Sequence, residues 1–96
     1  MHKIRSYDLI VFLEDEEMRL DKFLKVSRLI KRRTVAKEAC DKGMVSVNGK
    51  VAKAGDILKV GDIVEINFGS RIIKVEVLDI KEHALKDDAA KMYRLL

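Results

Sequence analysis

The spacing of apolar residues predicts two helices near the start of the organised part of this chain. After Arg19, apolar side chains recur three and four residues apart, the period of a helix with one buried face. That face carries Leu20, Phe23, Leu24 and Ser27. A second helix is predicted over 34–42, and Gly43 suits the left-handed conformation that commonly ends a helix. Its predicted buried side consists of small residues that favour close approach to the first helix: Val35, Ala36, Ala39 and Cys40.

Beyond Gly43 the apolar period shortens to alternation, which predicts strands. Residues 44–47 and 50–53 form a predicted hairpin, because Asn48-Gly49 is a strong signal for a type I′ turn. Further strands are predicted at 57–58, 63–68 and 73–80, with turns at 54–56, 60–62 and 69–70. Strands joined by such short turns pair antiparallel. The predicted fold class is therefore α+β, with two basic helices packed on a twisted antiparallel sheet.

The two ends differ from this central domain, which we place at 18–80. Residues 1–17 carry two basic and five acidic side chains, with an imperfect apolar alternation over 7–13 that allows a short strand. Two interpretations are open: Met18 is the native start, or 1–17 is a genuine extension such as an acidic arm. Residues 81–96 are predicted to be a linker and a tail helix, in which 89–96 is helical and docks through Met92, Leu95 and Leu96.

Composition excludes several classes of protein. A length of 96 residues with 48% hydrophobic content indicates one small globular domain. The single cysteine excludes an internal disulfide, and two distant histidines make no convincing metal site, so we expect no metal and no cofactor. No apolar run reaches the roughly 18 residues of a membrane span, and no signal peptide is recognisable. These features predict a cytoplasmic protein that does not insert into a membrane.

Positive charge is concentrated on the predicted helix pair. Between Met18 and Gly43, nine basic residues stand against three acidic ones, a net of +6 that exceeds the +4 of the whole chain. Such a run is often only a solvated face. Here, however, the charges converge from two packed elements, and arginines lie near both helix starts, where the helix dipole disfavours positive charge unless a phosphate binds there. We therefore predict contacts to a polyanion, most often nucleic acid, by Arg19, Lys22, Lys25, Arg28, Lys31, Arg32, Arg33, Lys37 and Lys50, with Lys53 at the edge of this face.

A catalytic function is not supported by the motifs. The sequence contains no nucleophile and base at motif spacing and no glycine-rich phosphate loop that opens a helix. Asp21 is expected to pair with Lys25 or Arg28, or to fix an RNA-facing arginine, instead of acting as a general base. Cys40 is expected to be a small core residue. We therefore predict a protein that is not an enzyme.

The helical region and the hairpin together resemble the RNA-binding domain family named after small-subunit ribosomal protein S4. The family pattern R-L-D-x-x-L is present from Arg19 to Leu24, followed by Arg33, Ala36 and the G-x-V-x-V-N-G run that ends at Gly49. Arg32 departs from the pattern, because the family often has a serine at this position to cap the second helix. The match covers about half the chain, and within the family the chain is most similar to short stand-alone members.

This resemblance implies partners that the residue pattern alone does not give. Stand-alone members of this kind bind a large ribosomal subunit that still carries peptidyl-tRNA after a stalled ribosome has split. The expected contacts are large-subunit rRNA and the tRNA, in support of a nascent-chain tailing factor that adds alanine. The alternative is a general rRNA-binding factor in ribosome assembly or the heat-shock response. An accessory to a modifying enzyme, or a module that binds an acidic protein, are further possibilities.

Overall fold

The computed structural model describes residues 17–81 and 84–96, so the possible strand within 7–13 lies outside the described residues. The helices are α1 (Leu20–Val26), α2 (Arg33–Asp41) and the short α3 (Lys86–Ala89). The strands are β1 (Glu17–Arg19), β2 (Val45–Val47), β3 (Lys50–Val51), β4 (Ile57–Lys59), β5 (Ile63–Asn67), β6 (Ile72–Val77) and β7 (Tyr93–Leu95). The arrangement confirms the predicted α+β class with antiparallel pairing.

The strands form two antiparallel sheets. The larger sheet has the order β3-β2-β5-β6-β7, and the smaller one pairs β1 with β4. The second pairing was not predicted, because β1 is only three residues long and its partner lies about forty residues further along the chain. Met18 lies opposite Leu58 in this pair and both are buried, so the pairing fixes the chain where α1 begins.

The two helices pack through the faces that their periodicity predicted, with one exception. Leu20, Phe23 and Leu24 of α1 are fully buried, and the small residues of α2 at the contact are buried. Gly43 ends α2 with a φ of 75°. Val35 was predicted to be buried, but it is 45% exposed. Ala36, Ala39 and Cys40 already form a complete face at one, three and four residues' spacing, and Val35 lies about 100° away from Ala36 around the helix.

The C-terminal tail differs from the prediction. Residues 89–96 do not form a helix: α3 ends at Ala89, and Tyr93–Leu95 is a strand that pairs with β6, with Val77 opposite Tyr93. The backbone of the tail forms hydrogen bonds with the free edge of β6. These strand-to-strand bonds satisfy more backbone groups than one short helical turn can. Met92 is buried as predicted, whereas Leu95 and Leu96 are exposed.

Candidate nucleic-acid interface

A buried carboxylate lies at the centre of the basic surface. The side chain of Asp21, in the first turn of α1, is only 4% exposed. Its Oδ1 accepts from Nε of Arg19 at 3.2 Å, and its Oδ2 accepts from Nη2 of the same arginine at 3.2 Å. Nε of Arg33, the first residue of α2, lies 3.4 Å from Oδ2. The arginines themselves remain about half exposed, at 48% and 47%.

This contact decides between the two expectations for Asp21. Its partners are the arginines of the predicted RNA face, which contact both of its carboxylate oxygens, so the pairing with Lys25 or Arg28 is wrong. Burial acts to raise the pKa of the Asp21 carboxyl, but the hydrogen bonds and positive charges of Arg33 and Arg19 outweigh it, and the pKa is lowered from its ordinary value. The carboxylate is therefore ionised at neutral pH.

The position of Arg19 is set from both sides. It is the last residue of β1, opposite Ile57 in the β1–β4 pair, and it occupies the N-cap position of α1 without a side-chain capping bond. Its guanidinium lies beside Gly55, where an added Cβ would be 3.8 Å from Nη2. A methyl group added at Gly55 would therefore touch the guanidinium at an ordinary van der Waals distance. The sequence showed Gly55 only as part of a turn, since nothing local links it to Arg19.

The start of α1 is capped by backbone carbonyls. The N–H of Leu20 donates to the carbonyl of Asp56 at 2.8 Å, and the N–H of Asp21 donates to that of Ala54 at 3.1 Å. A phosphate therefore cannot use these two donors, and the expectation that the start of this helix would help to hold one is wrong for them. At the start of α2, Arg32 makes no capping bond, in agreement with its departure from the family's serine.

A shallow groove extends the arginine pair towards the larger sheet. It runs between α2 and the loop before β4, and its basic lining residues are Arg19, Lys37 and Lys53. Asp41 and Gly55 also line it. The structure therefore brings together predicted contacts from β1, α2 and the loop on one side of the molecule.

The other predicted contacts lie around this centre or away from it. Lys25, Lys31 and Arg32 are exposed on the end of α1 and the connection to α2. Arg28 lies in that connection, with a φ of 64°, and not on the helix. Lys22 is half buried. Lys50 lines a different depression, which also contains Asp56 and Asp62, so it is not part of the arginine-centred groove.

The described residues give little support for a reactive cysteine, a metal site or a membrane span. Cys40 is buried as predicted, and burial, together with the charges of nearby aspartates, raises the pKa of its thiol to about 11. Within 17–81 and 84–96, no group of three or more histidine, cysteine or acidic residues is arranged to hold a metal ion. No helix in the same two ranges is long and apolar enough to cross a bilayer.

The sequence of this chain is similar to one family model and to several known proteins of one name. The model of the S4 domain family matches residues 18–64. The RQC P-site tRNA stabilizing factor of Streptococcus pneumoniae is 58% identical over 79 residues, covering 82% of this chain and 90% of that protein. The factor of the same name from Bacillus subtilis is 53% identical over 79 residues, which cover 82% of this chain and 92% of that protein.

A solved structure supports the same relationship. The structure of Vibrio cholerae Heat Shock Protein 15 superposes on this chain with a TM-score of 0.78 at 28% sequence identity. The superposition covers 84% of this chain and 83% of that one. The sequence pattern, the fold and these similarities agree. The chain belongs to the S4-domain family of RQC P-site tRNA stabilizing factors.

Proposed function

We propose that this protein binds rRNA and tRNA on a large ribosomal subunit that carries peptidyl-tRNA after ribosome stalling. There it stabilises the tRNA in the P site during ribosome quality control in the cytoplasm. The name shared by its relatives supports the tRNA and the site. The observation that carries the proposal within this chain is the arginine pair held by Asp21 on an exposed basic surface.

In the proposed mechanism the protein acts by binding alone. Arg19 and Arg33 bind phosphates with well-defined geometry, and Lys37 and Lys53 add charge along the groove. Lys22, Lys25, Arg28, Lys31 and Arg32 contribute from the surrounding helix surface, and Lys50 from the hairpin. Phosphate contacts of this kind recognise the shape of a folded RNA more than its sequence. By contacting tRNA and rRNA at once, the protein favours one tRNA position without carrying out a reaction itself.

The proposal includes a functional partner. A tRNA that stays in the P site presents its peptidyl end to the next aminoacyl-tRNA, so its stabilisation supports a tailing factor that extends the nascent chain with alanine. This role requires neither a metal ion nor a cofactor. It also requires no catalytic residue of this chain, and we infer that the protein is not an enzyme.

A second candidate function is a general rRNA-binding role in ribosome assembly or the heat-shock response. The similarity to Heat Shock Protein 15 favours it. The two candidates differ in what the subunit must contain: the first requires peptidyl-tRNA for tight binding, and the second does not.

Co-sedimentation with large subunits tests both. Empty subunits and subunits carrying peptidyl-tRNA are compared, using the wild type, Arg19→Ala/Arg33→Ala, and the control Lys74→Ala/Lys91→Ala. The control removes the same charge from exposed positions outside the helix pair. We expect the wild type and the control to prefer subunits that carry peptidyl-tRNA. The arginine variant should lose this preference. Equal binding to empty subunits would favour the general rRNA factor, and no binding to either would contradict both.

A further inference from the structure

We propose that Asp21 is a positioning residue for RNA binding: an acidic side chain that strengthens the binding of a polyanion because it orders Arg19 and Arg33. This inference rests on the proposed function, since it assumes that these arginines contact RNA phosphates. It assigns to Asp21 a role that its charge alone would argue against.

The first argument is the sharing of one carboxylate. Arg19 and Arg33 belong to different elements and are fourteen positions apart, yet both contact Asp21, and both of its oxygens are used. Arg19 approaches through Nε and Nη2, and Arg33 through Nε. The contacts to Asp21 therefore leave Nη1 of each guanidinium available, and Nη2 of Arg33 as well. With about half of each side chain exposed, these donors can reach a phosphate.

The second argument concerns order. An arginine on a surface has many rotamers, and it loses that freedom when it binds a phosphate. Here the freedom is already lost in the unbound protein, because the partner carboxylate is itself buried on α1. Asp21 also reduces the repulsion between the two guanidinium groups, because both contact its negative charge. The RNA therefore meets a preformed pair of arginines.

The alternative is that Asp21 only helps α1 and α2 to pack. In that case replacing it with asparagine removes one negative charge and raises the net charge by one, and long-range attraction then makes the folded protein bind RNA more tightly. A positioning role predicts the opposite sign. The direction of the change in affinity separates the two interpretations without depending on its exact size.

The matched control is Asp41→Asn. Asp41 is exposed on α2 and lines the same groove, and among the described contacts it makes no salt bridge to either arginine. Its replacement changes the net charge by the same amount. Asp21→Glu is the second variant, because it keeps the charge but places the carboxylate one methylene further from the backbone. It remains informative if Asp21→Asn is poorly folded.

The experiment measures binding of the full chain to large subunits carrying peptidyl-tRNA, and to purified large-subunit rRNA, over a range of salt concentrations. Circular dichroism on the same samples confirms folding. We expect Asp21→Asn and Asp21→Glu to bind about tenfold more weakly than the wild type, and Asp41→Asn to bind equally or more tightly.

The salt dependence distinguishes arginines that are misplaced from arginines that are missing. Because both arginines are still present in Asp21→Asn, the slope of log affinity against log salt should stay near the wild-type value. In Arg19→Ala/Arg33→Ala it should become shallower by about 2, one phosphate contact being lost for each arginine.

Two results would overturn the inference: tighter or unchanged binding by folded Asp21→Asn, or wild-type affinity of folded Asp21→Glu. If either appears while the double arginine variant loses binding, the positioning role fails and the proposed function stands. If the double arginine variant itself binds like the wild type, the arginine-centred interface fails and the inference fails with it.

Discussion

Nε of Arg33 lies 3.4 Å from Oδ2 of Asp21, which joins the first residue of α2 to the first turn of α1. The contact connects two positions of the family pattern that lie twelve residues apart in the sequence. It lies where the helix pair meets the proposed RNA-binding surface, so we expect it to affect stability as well as binding.

The first consequence is a dependence of stability on pH. The pKa of Asp21 is lowered in the folded state, so its contribution is fully present above the unfolded value of 3.8 and is lost as the pH falls through the lower folded value. Because both arginines are half exposed, we expect Asp21→Asn to cost about 1–2 kcal/mol at neutral pH.

Urea denaturation of the wild type and Asp21→Asn over a series of pH values measures this. The difference in unfolding free energy should be constant from about pH 7 to about pH 5 and should shrink below about pH 4. A difference that vanished near neutral pH would show that the carboxylate is not the stabilising form.

A second prediction concerns the hairpin turn. Asn48 has a φ of 51° and Gly49 a φ of 86°, as the Asn-Gly signal predicted for a type I′ turn. The Asn48 side chain also joins two turns: its Nδ2 donates to Oδ1 of Asp62 at 3.1 Å, and its Oδ1 accepts from the N–H of Ile63 at 2.9 Å. The sequence indicated only the turn.

The two roles of Asn48 separate by substitution. Asn48→Gly keeps the left-handed backbone but loses the side-chain bonds, and we expect a loss of about 1 kcal/mol. Asn48→Ala loses both and should cost about 1 kcal/mol more. Urea denaturation gives the order wild type, glycine, alanine; equal stability of wild type and Asn48→Gly would mean that the bonds to Asp62 and Ile63 contribute nothing.

A third prediction tests the C-terminal strand. Met92 is 0% exposed and its carbonyl accepts from the N–H groups of Leu78 and Asp79, whereas Leu95 is 66% exposed. Met92→Ala should therefore lower the free energy of unfolding by about 2–5 kcal/mol, and Leu95→Ala by less than about 1 kcal/mol. Thermal denaturation followed by circular dichroism compares them. Similar losses for both would indicate the docked helix that the sequence pattern favoured.

A fourth prediction concerns Cys40. Burial and the negative charges of Asp21, Asp41 and Asp56 raise the pKa of its thiol to about 11, so the reactive thiolate is scarce at neutral pH. Alkylation by iodoacetamide should be slow in the native protein and should accelerate across the urea unfolding transition. Rapid labelling without urea would contradict the buried position of this side chain.

Local patterns determined much of the fold. The amphipathic spacing of Leu20, Phe23 and Leu24 is sufficient to predict α1, and the Asn48-Gly49 pair is sufficient to predict the hairpin, because helix periodicity and turn geometry depend on residues close in sequence. The same is true of the basic cluster, whose members all lie within one stretch of the chain. The prediction for the tail was wrong because its amphipathic spacing gave no information about the free edge of β6.

The sequence by itself therefore determined the helix pair, the alternating strands, the excess of positive charge and the family. Only the tertiary structure decided which side chains meet: Asp21 with Arg19 and Arg33, Arg19 with Gly55, and β1 with β4. The physical reason is that a periodic pattern specifies which face of an element is buried, but not which element covers it. That choice depends on contacts between distant parts of the chain, and these form only when the whole core is assembled.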